Sequence, residues 1–412
     1  MIQSIAKLAA GGVLAMGAAV MAADETPKAA DPRVVSGVGQ FTVDLYKALA
    51  AKPGNVFCSP LNVATAVSMT AAGAKGETAD QIARTLHLER LGDAAHDGLG
   101  NLLAEVKGAI RPAANADVEK SPGLWSANAG WFDESTEILP EFIARLERSY
   151  HAAPHRVDFA HSADAARETI NRWVADQTRD RIRDLLKPDN VRPGTTFVLT
   201  SAIYFKGFWT FPFDAKATTD DQFRTDGGLV PIKLMNQTAS RLPYFENDAL
   251  KAVTLPYKDG SLVMVVVLPR KEDGLADVEA SLNASDLQAW STNMRPTRVK
   301  LSLPKFQSTA EFDLKNTLSS LGMPDAFDPA KADFSGITGK RDTAIAAVVH
   351  KAFIEVEEKG TEAAAATAVV GVRSSAMLPQ KDVIFRADHP FLYLIRDTQS
   401  GAILFMGRLS RP

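Results

Sequence analysis

Residues 357–378 read EEKGTEAAAATAVVGVRSSAML and contain almost no side chains able to build a core. Alanine is the best helix former and a poor strand former. Gly360 and the β-branched residues Thr367, Val369 and Val370 work against a helix. Local propensity alone therefore indicates an exposed connector, and the rest of the chain has to show whether the segment has another purpose.

The bulk composition of the 412-residue chain is that of an ordinary soluble globular protein. Hydrophobic residues make up 46% and charged residues 23%, and the mean hydropathy is −0.08. A net charge of −3 and a pI near 6.2 argue against nucleic-acid binding, because phosphate recognition needs a basic field. The length allows two or three domains of roughly 150 residues each, or one large domain.

The N-terminus has the pattern of an export signal. Lys7 precedes the apolar run LAAGGVLAMGAAVM at residues 8–21, and two small residues, Ala22 and Ala23, follow it. This pattern predicts a signal peptide at residues 1–23. The run is short for a bilayer span, so we expect a secreted or periplasmic protein with no membrane anchor in its mature form. The polar residues 24–34 are predicted to be a disordered lead.

The sequence contains no recognisable catalytic or metal site. It lacks G-x-S-x-G, H-E-x-x-H, P-loop and G-x-G-x-x-G patterns. His151, His155 and His161 cluster, but Pro154 interrupts the helix that an i, i+4 zinc pair requires. We therefore expect no enzyme activity, no metal and no cofactor. Cys58 has no partner for an intramolecular disulfide, and in an exported protein this predicts a buried thiol.

The hydrophobic periodicity indicates helices first and strands later. Apolar spacing of three and four residues predicts helices at 41–51, 62–74, 78–86 and 170–186. Strand-like segments lie at 196–205, 252–256, 262–268, 299–303, 344–356 and 402–408. Asp259 and Gly260 separate two strand runs and predict a hairpin. This order predicts an α+β fold that is largely antiparallel.

Several motifs occur together and in a fixed order. They are NVFCSPLNVATAVSMTAAGAKGETADQI (55–82), INRWVADQTRDRI (170–182), TSAIYFKGFW (200–209), HKAFIEVEEKGTEAAAAT (350–367) and DHPFLYLIRDTQSGAILFMGRL (388–409). Together these motifs resemble the serpin family, large protease inhibitors with a mobile reactive loop. The resemblance implies one domain over residues 35–412, with three mostly antiparallel β-sheets, about eight or nine helices and an exposed reactive loop at about 358–380.

The resemblance gives the alanine-rich segment a purpose. It implies a suicide substrate for a serine, or possibly a cysteine, protease, whose acyl-enzyme is trapped when the cleaved loop enters the main sheet as a new strand. The resemblance places the hinge at Glu358, Gly360, Thr361, Glu362, Ala363, Ala364, Ala365, Ala366 and Thr367. Strand alternation then places two sets on opposite faces: Thr361, Ala363, Ala365 and Thr367 on one, and Glu362, Ala364, Ala366 and Ala368 on the other.

Two peptide bonds are the leading candidates for the reactive bond that the protease cleaves. The family's usual spacing from Glu358 gives Ser374–Ser375, which suits an elastase-like or subtilisin-like protease. A spacing one residue shorter gives Arg373–Ser374. We favour Arg373–Ser374, because a trypsin-like protease binds arginine through a buried carboxylate. Met377–Leu378 is a third choice. The expected partner is the target protease, and the inhibitor is expected to be a monomer.

The family's shutter and breach positions are also recognisable. Ser59 and His350 match the shutter, and Trp209 matches the breach tryptophan. Asn62 and Ser201 are exchanged relative to the family's usual serine and asparagine. We expect this exchange to keep the same amide–imidazole hydrogen bond with its partners swapped.

Two further functions stay open at this stage. The alternative within the same fold is a non-inhibitory binding or chaperone-like protein. The hinge favours an inhibitor, because it contains no proline and because the side chains on its core-facing side, Thr361, Ala363, Ala365 and Thr367, are all small. A hydrolase is the third possibility, and the sequence shows no nucleophile–base set that supports it.

Overall fold

The computed structural model describes residues 30–110, 121–258, 260–361 and 382–412. Ten α-helices lie in these residues: α1 (Pro32–Ala50), α2 (Pro60–Ala71), α3 (Gly76–Thr85), α4 (Ala94–Ala109), α5 (Pro140–Tyr150), α6 (Phe159–Gln177), α7 (Leu275–Ser281), α8 (Ala284–Thr292), α9 (Lys315–Leu321) and α10 (Ser335–Thr338).

The same residues contain fifteen strands. They are β1 (Val56–Cys58), β2 (Gly123–Asp133), β3 (His155–Val157), β4 (Phe197–Phe208), β5 (Thr219–Thr225), β6 (Gly228–Glu246), β7 (Leu250–Pro256), β8 (Leu262–Pro269), β9 (Arg295–Pro304), β10 (Phe306–Asp313), β11 (Ala347–Glu357), β12 (Gly360–Thr361), β13 (Val383–Arg386), β14 (Phe391–Asp397) and β15 (Ile403–Leu409).

Hydrogen bonds join the described strands into two sheets. The larger has the order β1-β15-β14-β8-β7-β6-β9-β13, with β5 beside β6, and the six-stranded main sheet has the order β10-β11-β12-β4-β2-β3. The predicted α+β class and antiparallel character are confirmed. The resemblance implied three sheets, whereas the described strands form two, because the long strand β6 pairs with β5, β7 and β9 and holds them in one sheet. The described residues contain ten α-helices, against the eight or nine that the resemblance implied, and the shortest of them, α10, has only four residues.

The first helix begins earlier than predicted. Asp31 accepts a hydrogen bond from the backbone N–H of Arg33, and Pro32 occupies the first turn, where its missing N–H costs nothing. Residues 32–34, predicted to be disordered, are therefore helical, and Val34 is fully buried. The predicted signal peptide at residues 1–23 lies outside the described residues.

The predicted helix at 170–186 is corrected by the structure. Helix α6 starts at Phe159 and ends at Gln177, since Arg179 and Asp180 adopt positive φ angles of 54° and 60° that a right-handed helix excludes. Residues 178–191, here called the strap, run back across the main sheet. Asn171 of α6 anchors the strap by donating to Leu186 O (3.0 Å) and accepting from Leu186 N (2.7 Å).

The predicted hairpin is confirmed as the antiparallel pair β7 and β8, which runs from Leu250 opposite Pro269 to Pro256 opposite Val263. Gly260 has φ 73° in the turn, and Asp259 lies outside the described residues. Cys58 is fully buried as predicted, and burial raises the pKa of its thiol to about 12.

Two hydrophobic clusters cover the two faces of the main sheet. The inner cluster lies between the main sheet, the nine-stranded sheet and helices α1 and α2. The smaller outer cluster lies between the main sheet, α6 and the strap. No helix among the described residues is long and apolar enough to cross a membrane. Within the same residues, no group of three metal-binding side chains comes together.

Candidate functional site

The boundary between β4 and β11 in the main sheet is the candidate site, and we call it the seam. The two strands pair in parallel, from Ala347 opposite Val198 to Phe353 opposite Tyr204. Above that point the seam is divided by β12, which pairs antiparallel with both neighbours. Thr361 lies opposite Val356 on one side and Gly207 on the other. The hinge therefore already enters the main sheet by two residues.

Gly360 is needed where the hinge enters the seam. A Cβ atom at this position would lie 2.1 Å from Gly207 O and 2.6 Å from the Cα atom of Phe208. Real Cβ atoms do not approach backbone so closely, so any other residue would force β4 away from β12. The predicted hinge glycine thus owes its place to the close approach of two backbones as well as to conformational freedom.

The breach at the top of the seam is an aromatic stack that binds the hinge. Trp209 Nε1 donates to Glu357 O (2.9 Å), and the indole ring stacks on Tyr257 with centroids 4.6 Å apart. Tyr257 Oη lies 2.8 Å from the hydroxyl oxygen of Thr361, which is fully buried. Burial raises the pKa of Tyr257, so its hydroxyl stays protonated. Sequence reasoning found Trp209 but missed Tyr257, which lies in the quoted LPYKDG run.

A charged pair fixes the turn between β11 and β12. Glu358 lies 2.9 Å from Lys305 Nζ and accepts a hydrogen bond from Thr218 Oγ1 at 2.9 Å. Burial alone would raise the pKa of Glu358, but the hydrogen bonds from Lys305, the backbone and Thr218 outweigh it and lower the pKa. The carboxylate is therefore charged at neutral pH. Lys305 and Thr218 carried no sequence signal for this role, because both are distant along the chain.

The shutter lies lower in the seam and centres on His350. The backbone N–H of Ser59 donates to His350 Nε2 (3.0 Å), so Nε2 is an acceptor and the ring proton sits on Nδ1. Nδ1 faces the carbonyl oxygen of Ser201 at 2.9 Å and its hydroxyl oxygen at 3.0 Å. Complete burial lowers the pKa of His350 to about 4, so the imidazole is neutral at physiological pH.

Asn62 joins the shutter through Ser201. Its Nδ2 lies 2.9 Å from Ser201 Oγ and 3.3 Å from Ala202 O, and since Ala202 O can only accept, the atom facing it is the amide nitrogen. The predicted direct amide–imidazole bond is wrong, because the hydroxyl of Ser201 lies between the amide and the ring. Ser201 and His350 are directly opposite each other across the seam, whereas Asn62 belongs to the helix layer above them.

Asn128 is a shutter residue that the sequence did not reveal. It lies opposite Ser201 on β2, and its side chain donates to the backbone oxygen of Asn62 at 3.2 Å. The remaining predicted site residues lie outside the described residues: Glu362, Ala363, Ala364, Ala365, Ala366, Thr367, Arg373, Ser374 and Ser375.

The outer side of the seam is covered by aromatic rings and by the strap. Trp125, Tyr204 and Phe353 are neighbours on adjacent strands, with centroids 5.0 and 6.1 Å apart. Below them, the buried strap residues Ile182 and Leu185 belong to the same outer cluster. Opening the seam therefore requires the aromatic rings to separate and the strap residues to move away from the main sheet.

Comparison with known proteins identifies the family. Residues 36–412 match the family model described as serpin (serine protease inhibitor). The chain belongs to the serpin family. This serpin is 41% identical over 381 residues to an uncharacterized serpin-like protein of Thermococcus kodakarensis, covering 92% of this chain and 86% of the relative. It is 38% identical over 388 residues to the human leukocyte elastase inhibitor, covering 90% and 98%.

The solved structures agree with this assignment. The structure of human thyroxine-binding globulin in its ligand complex matches this one with a TM-score of 0.81. The two chains are 27% identical, and the match covers 92% of this chain and 99% of the globulin chain. The fold class predicted from the sequence is thus confirmed both by the topology of the main sheet and by this similarity.

Proposed function

We propose that this serpin inhibits a serine protease as a suicide substrate, with residues 358–380 as the bait and the seam as the slot for the cleaved loop. The observation that carries the proposal is strand β12, which already occupies the top of that slot. Gly360 and Thr361 pair with β11 and β4 in an antiparallel arrangement that can be continued downward.

The register of the seam favours continued insertion. Thr361 pairs with Val356 on β11 and with Gly207 on β4. The offset between Val356 and Gly207 along the two strands is the same as the offset between Ala347 and Val198, which pair directly lower in the seam. A strand that extends from Thr361 therefore needs β4 and β11 to move apart, without either sliding along the other. Widening breaks only the backbone hydrogen bonds across the seam, and the pairings of β4 with β2 and of β11 with β10 can stay as they are.

The same register assigns neighbours to each inserted residue. Residues at alternate positions would face the inner cluster, and their expected neighbours are Ile354 and Phe205 for Ala363, Ala352 and Ile203 for Ala365, and His350 and Ser201 for Thr367. Val370 would reach Ala347 and Val198 at the lower end of both strands. Small side chains suit these positions, since overpacking a dense core costs roughly 1–3 kcal/mol per site.

Insertion supplies the free energy that traps the protease. The protease nucleophile forms an acyl-enzyme with the bait, and cleavage releases the hinge to enter the seam. The new strand exchanges one parallel pairing for two antiparallel pairings and buries its inner side chains. Movement of the tethered protease to the far end of the sheet then distorts its active site before deacylation.

The target class is proposed from the bait and from the relatives. Arg373–Ser374 suits a trypsin-like protease, and Ser374–Ser375 suits an elastase-like or subtilisin-like one. The similarity to a protein named leukocyte elastase inhibitor supports a serine protease as the partner. Export through the signal at residues 1–23 would place the encounter outside the cytoplasm, and N-terminal sequencing of the mature protein tests that location.

Incubation with trypsin, elastase and subtilisin tests the proposal. We expect a complex that survives SDS with at least one protease, together with release of a C-terminal peptide. A peptide starting at Ser374 identifies Arg373–Ser374 as the bond, and one starting at Ser375 identifies the alternative. The variant Arg373→Ala should lose the trypsin complex, whereas Ser375→Ala should keep it.

A binding protein is the second candidate, favoured by the similarity to thyroxine-binding globulin in a ligand complex. In that case the proteases would cut the loop without forming any stable complex. Cleavage would then leave the melting temperature unchanged, because no strand enters the seam.

A further inference from the structure

A pocket of about 450 Å³ opens between helices α2, α3, α4 and α5. None of the described residues that line it belongs to β4, β11 or β12, so the pocket is separate from the seam. Its volume lies in the range of small-molecule sites, roughly 300–1,000 Å³. The short side chains of its many alanines leave space for a flat ring. Its apolar wall includes Ala71, Ala72, Ala74, Ala79, Ala83, Ala95, Ile82, Leu86 and Phe142.

A chain of three hydrogen-bonding groups ends at this pocket. Ser68 of α2 is buried, and its Oγ atom lies 2.8 Å from Tyr150 Oη of α5. Tyr150 Oη lies 2.8 Å from His96 Nδ1 of α4, whereas Ser68 Oγ is farther from that nitrogen, at 3.2 Å. Burial raises the pKa of Tyr150, so its hydroxyl keeps its proton. Both short contacts are hydrogen bonds when Ser68 donates to Tyr150 and Tyr150 donates to His96 Nδ1.

The same chain of hydrogen bonds fixes the tautomer of His96. If Nδ1 carried the ring proton, one of the two hydroxyl hydrogens would have no acceptor in the described part of the chain. Burial, together with the nearby Arg145, lowers the pKa of His96, so the imidazole is neutral at pH 7. The ring proton therefore lies on Nε2. His96 lines the pocket, and Nε2 has no hydrogen-bond partner within the described residues, so it offers an unused donor there.

Charged side chains surround the pocket, and we call them the rim. The described rim residues are four acids and two bases: Asp80, Glu89, Asp93, Glu141, Lys75 and Arg145. Arg145 is held by Asp93 through contacts of 2.9 and 3.2 Å. The rim therefore carries a formal charge of −2, which favours a cationic ligand.

We propose that this pocket binds a small hydroxylated aromatic amine, whose oxygen accepts a hydrogen bond from His96 Nε2. The ring would lie against the alanine-rich wall, and the ammonium group would lie at the acidic rim. Each part of the ligand thus answers a different observation: the free donor, the low apolar wall and the negative charge. The inference does not depend on the proposed protease inhibition, because the pocket and the seam share no residue among those described.

Calorimetric titration of the full-length protein with three probes tests the proposal. Tyramine has the ring, the hydroxyl and the ammonium group, and we expect it to bind. Phenethylamine lacks only the hydroxyl and should bind about tenfold more weakly. The third probe, 4-hydroxyphenylacetate, has a carboxylate in place of the ammonium group and should not bind at concentrations where tyramine saturates the site. Absence of tyramine binding, or equal affinities for the three compounds, would overturn the inference.

The variant His96→Asn isolates the donor. The amide oxygen of asparagine can replace Nδ1 as the acceptor from Tyr150, but the variant has no counterpart of the Nε2 donor. Tyramine should therefore lose its advantage over phenethylamine in this variant. The control His161→Asn, at an exposed histidine, should keep that advantage. A preference for tyramine that survives in His96→Asn would contradict the role of His96.

NMR of the wild-type protein gives an independent readout if His96→Asn fails to fold. Tyramine should shift the Nε2 resonance of His96, because that nitrogen gains a hydrogen-bond acceptor. Phenethylamine should leave the resonance nearly unchanged. Equal shifts with the two amines would overturn the proposed contact.

Discussion

The two ends of the seam differ in how far they are open. At the top, β12 separates β4 from β11, and the contacts are a charged pair, an aromatic stack and the hydroxyl contact between Tyr257 and Thr361. At the shutter, β4 and β11 pair directly, with Ser201 opposite His350, and the side chains of Ser59, Asn62, Ser201 and His350 are fully buried. The main sheet is therefore already open where β12 enters and still closed at the shutter.

This difference sets the order of events that we expect during insertion. On insertion, the residues after Thr361 would extend the existing arrangement of β11, β12 and β4, so the first steps would need no new nucleation of a strand. Further insertion requires the contacts of Ser201 with His350 to break, at a net cost on the order of 1 kcal/mol for each hydrogen bond. Changes at the top should therefore alter entry, and changes at the shutter should alter completion.

The largest effect is expected from closing the entry with Thr361→Arg. The guanidinium would replace a fully buried hydroxyl under Tyr257, and burying an unpaired charge costs several kcal/mol. The SDS-stable complex should disappear while the protease continues to cut the bait. Thr238→Arg, at an exposed threonine of β6, is the matched control and should inhibit normally. Full inhibition by Thr361→Arg would show that β12 is not the start of the inserted strand.

The second prediction concerns the loss of stability at acidic pH, through His350 at the closed end of the seam. His350 has a pKa near 4 in the folded protein and an ordinary value of 6.5 when unfolded. The unfolded chain therefore binds the proton first, and stability present above pH 6.5 is lost as the pH falls towards 4. The loss from this group is about 3 kcal/mol.

Urea unfolding between pH 7.5 and 4 measures this dependence. The variant His350→Gln should flatten the pH profile relative to the wild type, whatever its absolute stability. His161→Gln removes an exposed histidine, with 87% of its side chain accessible, and should leave the profile unchanged. An identical slope in all three proteins would contradict a neutral buried His350.

The exchange of Asn62 and Ser201 gives a third, smaller effect. Asn62→Ser removes the amide that donates to Ser201 and Ala202, and should lower the free energy of unfolding by about 1–2 kcal/mol. Adding Ser201→Asn should recover most of the loss, because the amide then returns on the strand. Additive changes in this double-mutant cycle would show that the two positions are not coupled.

The smallest effect is expected from Glu358→Gln at the open end. The change weakens the contacts with Lys305 and Thr218 and should lower the free energy of unfolding by about 1 kcal/mol. A synthetic peptide with the sequence of residues 362–371 should then enter the seam faster. Glu272→Gln removes an exposed partner of Arg224 and serves as the control, with a loss below about 0.5 kcal/mol. A slower peptide entry in Glu358→Gln would contradict a role of this pair in holding the top of the seam.

Prediction from the sequence succeeds best for residues that belong to a recognisable local sequence motif. Gly360, Trp209, Ser59 and His350 were all found from local motifs, and the structure places each of them along the seam. The partners Tyr257, Lys305 and Asn128 were missed, since each contacts its site across about 50 residues or more of intervening chain. A single sequence contains no signal for such long-range pairs.

The family resemblance, the α+β class and the small side chains of the hinge can all be predicted from the amino-acid sequence, because they follow from ordered motifs, periodicity and residue size. Three features could not be predicted without the folded structure: the hinge enters the sheet by two residues, β4 and β11 keep one register along the seam, and the hydroxyl of Ser201 lies between Asn62 and His350. These facts depend on how β4, β11 and α2 meet in space. Strands distant along the chain acquire a register only when they pair.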